Sequence, residues 1–412
     1  MRLLYTIGIR FYTLGIRLAA LFGHFNARLM VRGWKAGSGE WRVENGEQVA
    51  WFHAASLGEF EQARPVLEEF KRRHPDYKIV VTFFSPSGYE VRKNYDQADL
   101  VRYLPPDLPG TVRRFLDEVR PTVAFFVKYE FWYNYLGELH SRGIPTYIFS
   151  AIFRPDQYFF KPWGGWFRKQ LRQCYTHIFV QNEESLNLLK ANGIEHCTLT
   201  GDTRFDRVHQ IAEAAEGNEV VEAFLEGHTG KVLVCGSTWP PDEEIIHSTL
   251  NTQHSALKII VAPHVINEEH LRQIESLFHE SVRYSSFSMD RRFFKDAKTL
   301  IIDNIGLLSK LYRYADVAYI GGGFGVGIHT ILEAVTFGKP VLFGPNHGKF
   351  QEARDIIARG GGFSHSDATS LTANLMPLLT DEEAYRRASQ ACTDYMNCNL
   401  GVTEKILSTI EK

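Results

Sequence analysis

From Val49 onward, short apolar runs alternate with amphipathic stretches; the rhythm stops in an acidic, alanine-rich segment and then starts again. Residues 49–55, 78–84, 122–129, 145–153 and 177–182 read as strands, with helices at 58–74, 108–119, 131–142 and 183–192 between them. After 206–230 the pattern resumes with strands at 231–235, 257–262, 299–303, 317–320 and 341–343. Strands that alternate with helices imply right-handed crossovers and a parallel sheet covered on both faces. A chain of 412 residues also exceeds one ordinary core. The expected fold is therefore α/β, with two doubly wound, Rossmann-like domains facing a central cleft. We expect an N-terminal helical segment at 1–36, a first domain at 37–205, a helical linker at 206–230 and a second domain at 231–412. Ligands in such sheets bind beyond the carboxyl ends of the strands.

The second domain contains the densest local signal. Val317–Ile320 reads as a buried strand and runs into Gly321, Gly322, Gly323, Gly325 and Gly327. A helix is expected from Gly327 or His329 through Val335, placing His329 and Glu333 on one face. Bare backbone at a helix N-terminus favours a phosphate, and Glu333 could hold the two hydroxyls of a ribose. The glycines match G-x-G-x-x-G in no frame, since Val326, Ile328 and Thr330 stand at the third-glycine positions. That disfavours a dinucleotide-dependent dehydrogenase. No Walker lysine loop, HExxH or DxD pair occurs, so neither a metal nor a cofactor is expected.

Composition narrows the class further. A net charge of −2 argues against bulk nucleic-acid binding. The five cysteines form no CxxC pair, as suits a reduced, cytoplasmic compartment. The N-terminus is unlike the rest, because Arg2, Arg10, Arg17, Arg28, Arg32 and Lys35 are its only charged side chains before Glu40. Apolar residues from Leu3 to Phe25 fall between them at helical spacing. No uncharged run reaches the ~18–20 residues that a spanning helix needs. A basic amphipathic helix lying in the cytoplasmic leaflet fits this pattern; a first helix packed on the core and a short or tilted span are the other readings.

Several strand ends carry polar residues. His53-Ala-Ala-Ser-Leu-Gly-Glu59 passes from a strand to a helix, with Ser56 and Gly58 in the turn. Glu59, in the first helical turn, reads either as an ionised general base at the cleft or as the acid of a capping box begun by Ser56. Ser85, Ser87 and Gly88 read as an anion-receptive loop or as a helix start. Lys128 and Glu130 lie on one side of an extended backbone and either pair or face the cleft. Ser237 and Thr238, before a helix opened by Pro241, are placed to bond a phosphate. Pro263-His264 ends another strand, where His264 could meet a phosphate or a base.

In this order the motifs resemble the 3-deoxy-D-manno-octulosonic acid (Kdo) transferases, glycosyltransferases of the GT-B type. His53–Glu59 resembles the family's H-A-x-S-x-G-E, and Thr82–Gly88 its T-x-T-P-T-G. Thr200–Asp206 resembles T-G-N-x-K-F-D, and Gly327–Glu333 resembles G-G-H-N-x-L-E. Departures are local: Lys128 replaces the first glutamate of E-x-E-x-W, leaving Glu130; His264 stands where P-R-H has arginine; Thr330 stands for asparagine. The resemblance implies an inverting, metal-independent transfer of Kdo from CMP-Kdo to a lipid A precursor at the cytoplasmic face of the inner membrane. It implies Glu59 as general base, with Glu130 as a second acid. The nucleotide side would comprise Ser237, Thr238, Pro263, His264, Gly322, Gly323, Gly325, Gly327, His329 and Glu333. The acceptor side would comprise His53, Ser56, Gly58, Ser85, Ser87, Gly88 and Lys128. Another GT-B enzyme acting on a UDP-sugar, or a non-catalytic two-lobed binding protein, are the alternatives.

Overall fold

The computed structural model describes residues 2–37, 39, 41–250, 257–287 and 291–412. The chain forms two compact units, Met1–Arg207 with Gly401–Lys412, and Val208–Leu400. The first holds a seven-stranded parallel sheet in the order β3-β2-β1-β4-β5-β6-β7. Its strands are β1 (Gln48–Ala54), β2 (Tyr77–Phe83), β3 (Leu100–Tyr103), β4 (Val123–Val127), β5 (Thr146–Ala151), β6 (His177–Val180) and β7 (Cys197–Leu199). The second holds β8 (Lys231–Thr238), β9 (Leu257–Pro263), β10 (Ser281–Arg283), β11 (Thr299–Ile301), β12 (Val317–Ile320), β13 (Val341–Phe343) and β14 (Gly362–Ser364). Their order is β10-β11-β9-β8-β12-β13-β14, again all parallel.

Central strands are apolar throughout because helices cover both faces. Alternation along β1 shows the division. Val49 and Trp51 enter one cluster with Phe115, Phe126 and Tyr135. Ala50 and Phe52 enter the other with Phe60, Val66 and Phe125. That second cluster also takes Val402, Ile406 and Leu407 from the last helix, Val402–Ile410. Asp206 fixes the start of this helix by accepting from the backbone N–H groups of Gly401 at 2.8 Å and Thr403 at 2.6 Å. The expected second domain ran to 412; residues 401–412 instead complete the core of the first unit.

The N-terminal segment is two helices, α1 (Arg2–Leu21) and α2 (Phe25–Lys35), where one was expected. The chain turns at Gly23, whose φ of 96° suits glycine. α2 lies close on the sheet edge, since a Cβ on Gly33 would stand 2.0 Å from the Tyr103 ring. α1 turns Thr6 and Thr13 inward. Tyr5 donates to Asp107 at 2.7 Å and Arg2 to Asn134 at 3.1 Å, fastening the helix to the first unit. Its outward face is apolar: Leu4, Ile7, Phe11, Leu14, Leu18 and Leu21 are all exposed, Phe11 by 70%. Among the described residues no helix is long and apolar enough to cross a membrane.

Candidate functional site

In the first unit, β1 delivers His53 and the turn to α3 (Leu57–Arg73) delivers Glu59. Ser56 stands at the N-cap without a side-chain bond, so the reciprocal capping box is not formed. Glu59 Oε2 instead accepts from the Ala55 backbone N–H at 2.7 Å. Its Oε1 accepts no hydrogen bond among the described residues. The sequence suggested that a helix start would keep Glu59 ionised. The structure shows the opposite direction: burial, then the Glu130 carboxylate nearby, pushes its pKa up, and the Ala55 N–H only partly offsets them.

Glu130 reaches this point because β4 ends at Val127. Lys128 then takes φ 66°, a left-handed conformation, and turns the chain back. The extended Lys128–Glu130 backbone read from the sequence is therefore absent. Glu130 meets the buried His53, with Nε2 to Oε2 at 2.9 Å, rather than only facing outward. The Lys128 ammonium lies 5.5 Å from the centre of the Tyr129 ring. Trp132 Nε1 donates to the same Glu130 oxygen. Trp51 Nε1 donates to Thr82 Oγ1 at 2.8 Å; His53 Nδ1 lies 2.8 Å from that hydroxyl and 3.1 Å from the Thr82 carbonyl oxygen, while its Nε2 meets both Glu130 and Trp132 Nε1. These contacts form one connected cluster that includes the Glu130 carboxylate. Two rings extend it outward, with Phe84 5.1 Å from Trp132 and Tyr12 of α1 6.3 Å from Phe84.

Ser85 caps α4 (Pro86–Arg92), accepting from Ser87 N at 3.3 Å, so the structure shows a helix start there. Gly88 lets that helix approach the sheet, because a Cβ would lie 2.2 Å from the Phe83 ring. Gly58 meets no such constraint.

In the second unit the glycine run differs from its sequence reading. The helix begins at Leu332 and spans only Leu332–Val335. Thus His329 is not helical, and the helix that follows the glycines starts too late to present its N-terminus at Gly323–Gly327. The glycines serve close approach instead. Gly322 has φ 90°, and a Cβ on Gly323 would lie 2.6 Å from Gly344 Cα. The loop folds back on itself through His329 N to Gly321 O at 3.1 Å and is held by Asn346, whose Nδ2 donates to Gly325 O at 2.8 Å. Asp242 anchors its start, accepting from Gly322 N, Trp239 N and Tyr319 Oη, each at 2.9 Å. Thr238 donates its hydroxyl to the buried Glu243 at 2.8 Å, which removes it as the phosphate donor expected from sequence. Ser237, at φ 54°, is the left-handed residue just before the end of β8, where the pairing with β9 is irregular.

His264 follows Pro263 at the end of β9 and is exposed. Its ring stacks 4.8 Å from Trp239 on one side and 4.3 Å from His329 on the other. Trp239 Nε1 donates to His329 Nε2 at 3.4 Å, and burial followed by the neighbouring His264 lowers the His329 pKa. Beside the stack, Trp239, Asp242, Gly322, Phe324, Gly327 and His329 line a cavity of about 310 Å³. Glu333 has no counter-charge, and burial alone pushes its pKa up to about 7. Trp132, Trp239 and Asp242 were not singled out from sequence. The signal was an aromatic or acid next to a chosen strand end.

The 3-deoxy-D-manno-octulosonic-acid transferase (kdotransferase) family model matches residues 27–207. The chain is 27% identical over 347 residues to a 3-deoxy-D-manno-octulosonic acid transferase of Aquifex aeolicus, covering 82% of this chain and 88% of that protein. It is 26% identical over 381 residues to the Bordetella pertussis protein of the same name, covering 88% and 86%. Among solved structures, UDP-GlcNAc 2-epimerase from Neisseria meningitidis, bound to UDP-GlcNAc, matches with a TM-score of 0.61 at 16% identity, over 88% of this chain and 99% of that one. At that identity the likeness shows a shared fold, the GT-B type. The family model matches the first unit and named Kdo transferases align along both units, so the chain resembles the Kdo transferases over most of its length and is a glycosyltransferase.

Proposed function

We propose that this enzyme transfers Kdo from CMP-Kdo to a sugar hydroxyl of a lipid A precursor, with Glu59 as the general base. The observation that carries the reading is the Glu59 carboxylate, which has one oxygen held by Ala55 N–H and the other uncommitted. Its raised pKa brings it closer to the working range of a base. In the step, the acceptor oxygen bonds to the anomeric carbon of Kdo and its proton passes to Glu59. The bond from that carbon to the phosphate oxygen breaks, CMP leaves, and the configuration inverts. Ala55 N–H positions the base, and after burial the Glu130 carboxylate raises its pKa while His53 and Lys128 lower it. On the donor side, Glu333 accepts from the ribose hydroxyls, while His264 and His329 receive the phosphate. The relatives' names support Kdo as the group moved. The apolar outer face of α1, flanked by Arg10 and Arg17, supports a seat on the cytoplasmic leaflet of the inner membrane.

Incubation with CMP-Kdo and a lipid A precursor tests the reading. Kdo-bearing product is expected, and Glu59→Gln should lower the rate ~10²–10⁴-fold while CMP still raises the melting temperature. Stabilisation by UDP but not CMP, with no product, would favour a UDP-sugar enzyme of the same fold.

A further inference from the structure

α1 touches the rest of the first unit through a row of rings that its lipid-facing role does not require. Tyr12, 50% exposed, lies nearly parallel to Phe84, with ring planes 19° apart. Phe84 packs on Trp132, and Trp132 donates to both Glu130 and His53. Phe84 and Trp132 are only half-buried. A partly open aromatic track therefore runs from α1 to the carboxylates. At its outer end lies unfilled space. Gly8 and Gly15 stand four residues before and three after Tyr12, on its side of the helix. Glycine weakens a helix, and its usual compensation is close packing. Here a Cβ at either position would meet nothing within 4 Å. This bare strip joins the ring track to the apolar face formed by Ile7, Phe11 and Leu14.

We infer that Tyr12, Phe84 and Trp132 form the acceptor's acyl-chain subsite, guiding one hydrocarbon chain from the lipid surface to the base. The inference rests on the reading of the acceptor as a lipid. Three features favour a hydrocarbon chain as the occupant. The track is aromatic rather than ion-paired, it is continuous with the apolar face of α1, and that face carries Arg10 and Arg17 along one edge, which suits an anionic lipid layer. A chain lying on Tyr12 and Phe84 would orient the sugar hydroxyl toward Glu59, so α1 would supply part of the active site as well as an anchor.

The test measures kcat/KM of the full chain for an acylated lipid A precursor and for the same disaccharide stripped of its acyl chains. Removing one aromatic contact with a hydrocarbon should lower the acylated-to-stripped ratio about tenfold in Tyr12→Ala and in Phe84→Ala. Tyr12→Phe, which keeps the ring, should restore it. Sedimentation with vesicles of anionic phospholipid is followed in parallel and should stay at the wild-type level for Tyr12→Ala. A ratio that does not move in either alanine variant overturns the inference, as does a ratio that falls only together with vesicle binding. Absence of transfer to both acceptors by the wild-type enzyme would instead overturn the proposed function itself.

Discussion

Two carboxylates carry the residue-scale argument, and both are raised mainly by burial. Glu59 has Glu130 as a second cause, so Glu130→Gln should lower its pKa. A base works only when ionised, so the acidic limb of the pH–rate profile should then move to lower pH. A limb that stays in place would mean another group titrates. Glu333 is raised from 4.5 to about 7. Because its folded pKa exceeds the ordinary value, the stabilisation it gives is full below pH 4.5 and is lost as pH rises through 7. Without ligand, Glu333→Gln should therefore gain up to about 3 kcal/mol over wild type at pH 8 and little at pH 4.5, read from denaturant midpoints. Ribose hydroxyls favour the ionised form, so the substitution should also weaken stabilisation by CMP at pH 8. His53, Glu59 and Glu130 were legible in the sequence because each follows a strand end. The direction of the Glu59 shift was not, since it depends first on burial and then on the left-handed turn at Lys128 that brings a distant glutamate back to β1.

At the scale of elements, central strands were legible and edges were not. The strands the sequence did not reveal, β3, β7, β10 and β14, are the two edges of each sheet. An edge is covered less completely, and the buried run shortens to one or two residues, as in β10, where only Val282 is buried. The glycine run shows a different limit. Its i, i+4 pairing of His329 with Glu333 suggested a helix, yet its glycines are required by contacts with Gly344 and Ser237, which sequence spacing cannot show. Gly323→Ala should displace the loop, cost about 1–3 kcal/mol and abolish CMP binding by calorimetry. Gly325→Ala meets only Gly322 O at 3.7 Å and should bind normally.

For the whole molecule, the notable feature is that the second unit is inserted between two stretches of the first. Ile406 is fully buried in the core beside β1 and β4. Ile406→Ala should destabilise the first unit by about 2–5 kcal/mol, seen as earlier urea unfolding while the second unit's transition stays put. The alternation of strands and helices announced two Rossmann-like units, but the sequence could not show which one the tail would join. Tail residues such as Val402, Ile406 and Leu407 would suit any apolar face, and the choice depends on Asp206 clamping Gly401 and Thr403. That arrangement sets an order of events during synthesis. α1 is translated long before the Val402–Ile410 helix, with its apolar face bare, yet the first unit cannot close its core until that helix has been translated. A chain cut short before residue 401 would thus expose unsealed core as well as the apolar face of α1, and would be open to proteases and aggregation. Residues 401–412 thus act as a seal on the core of the first unit.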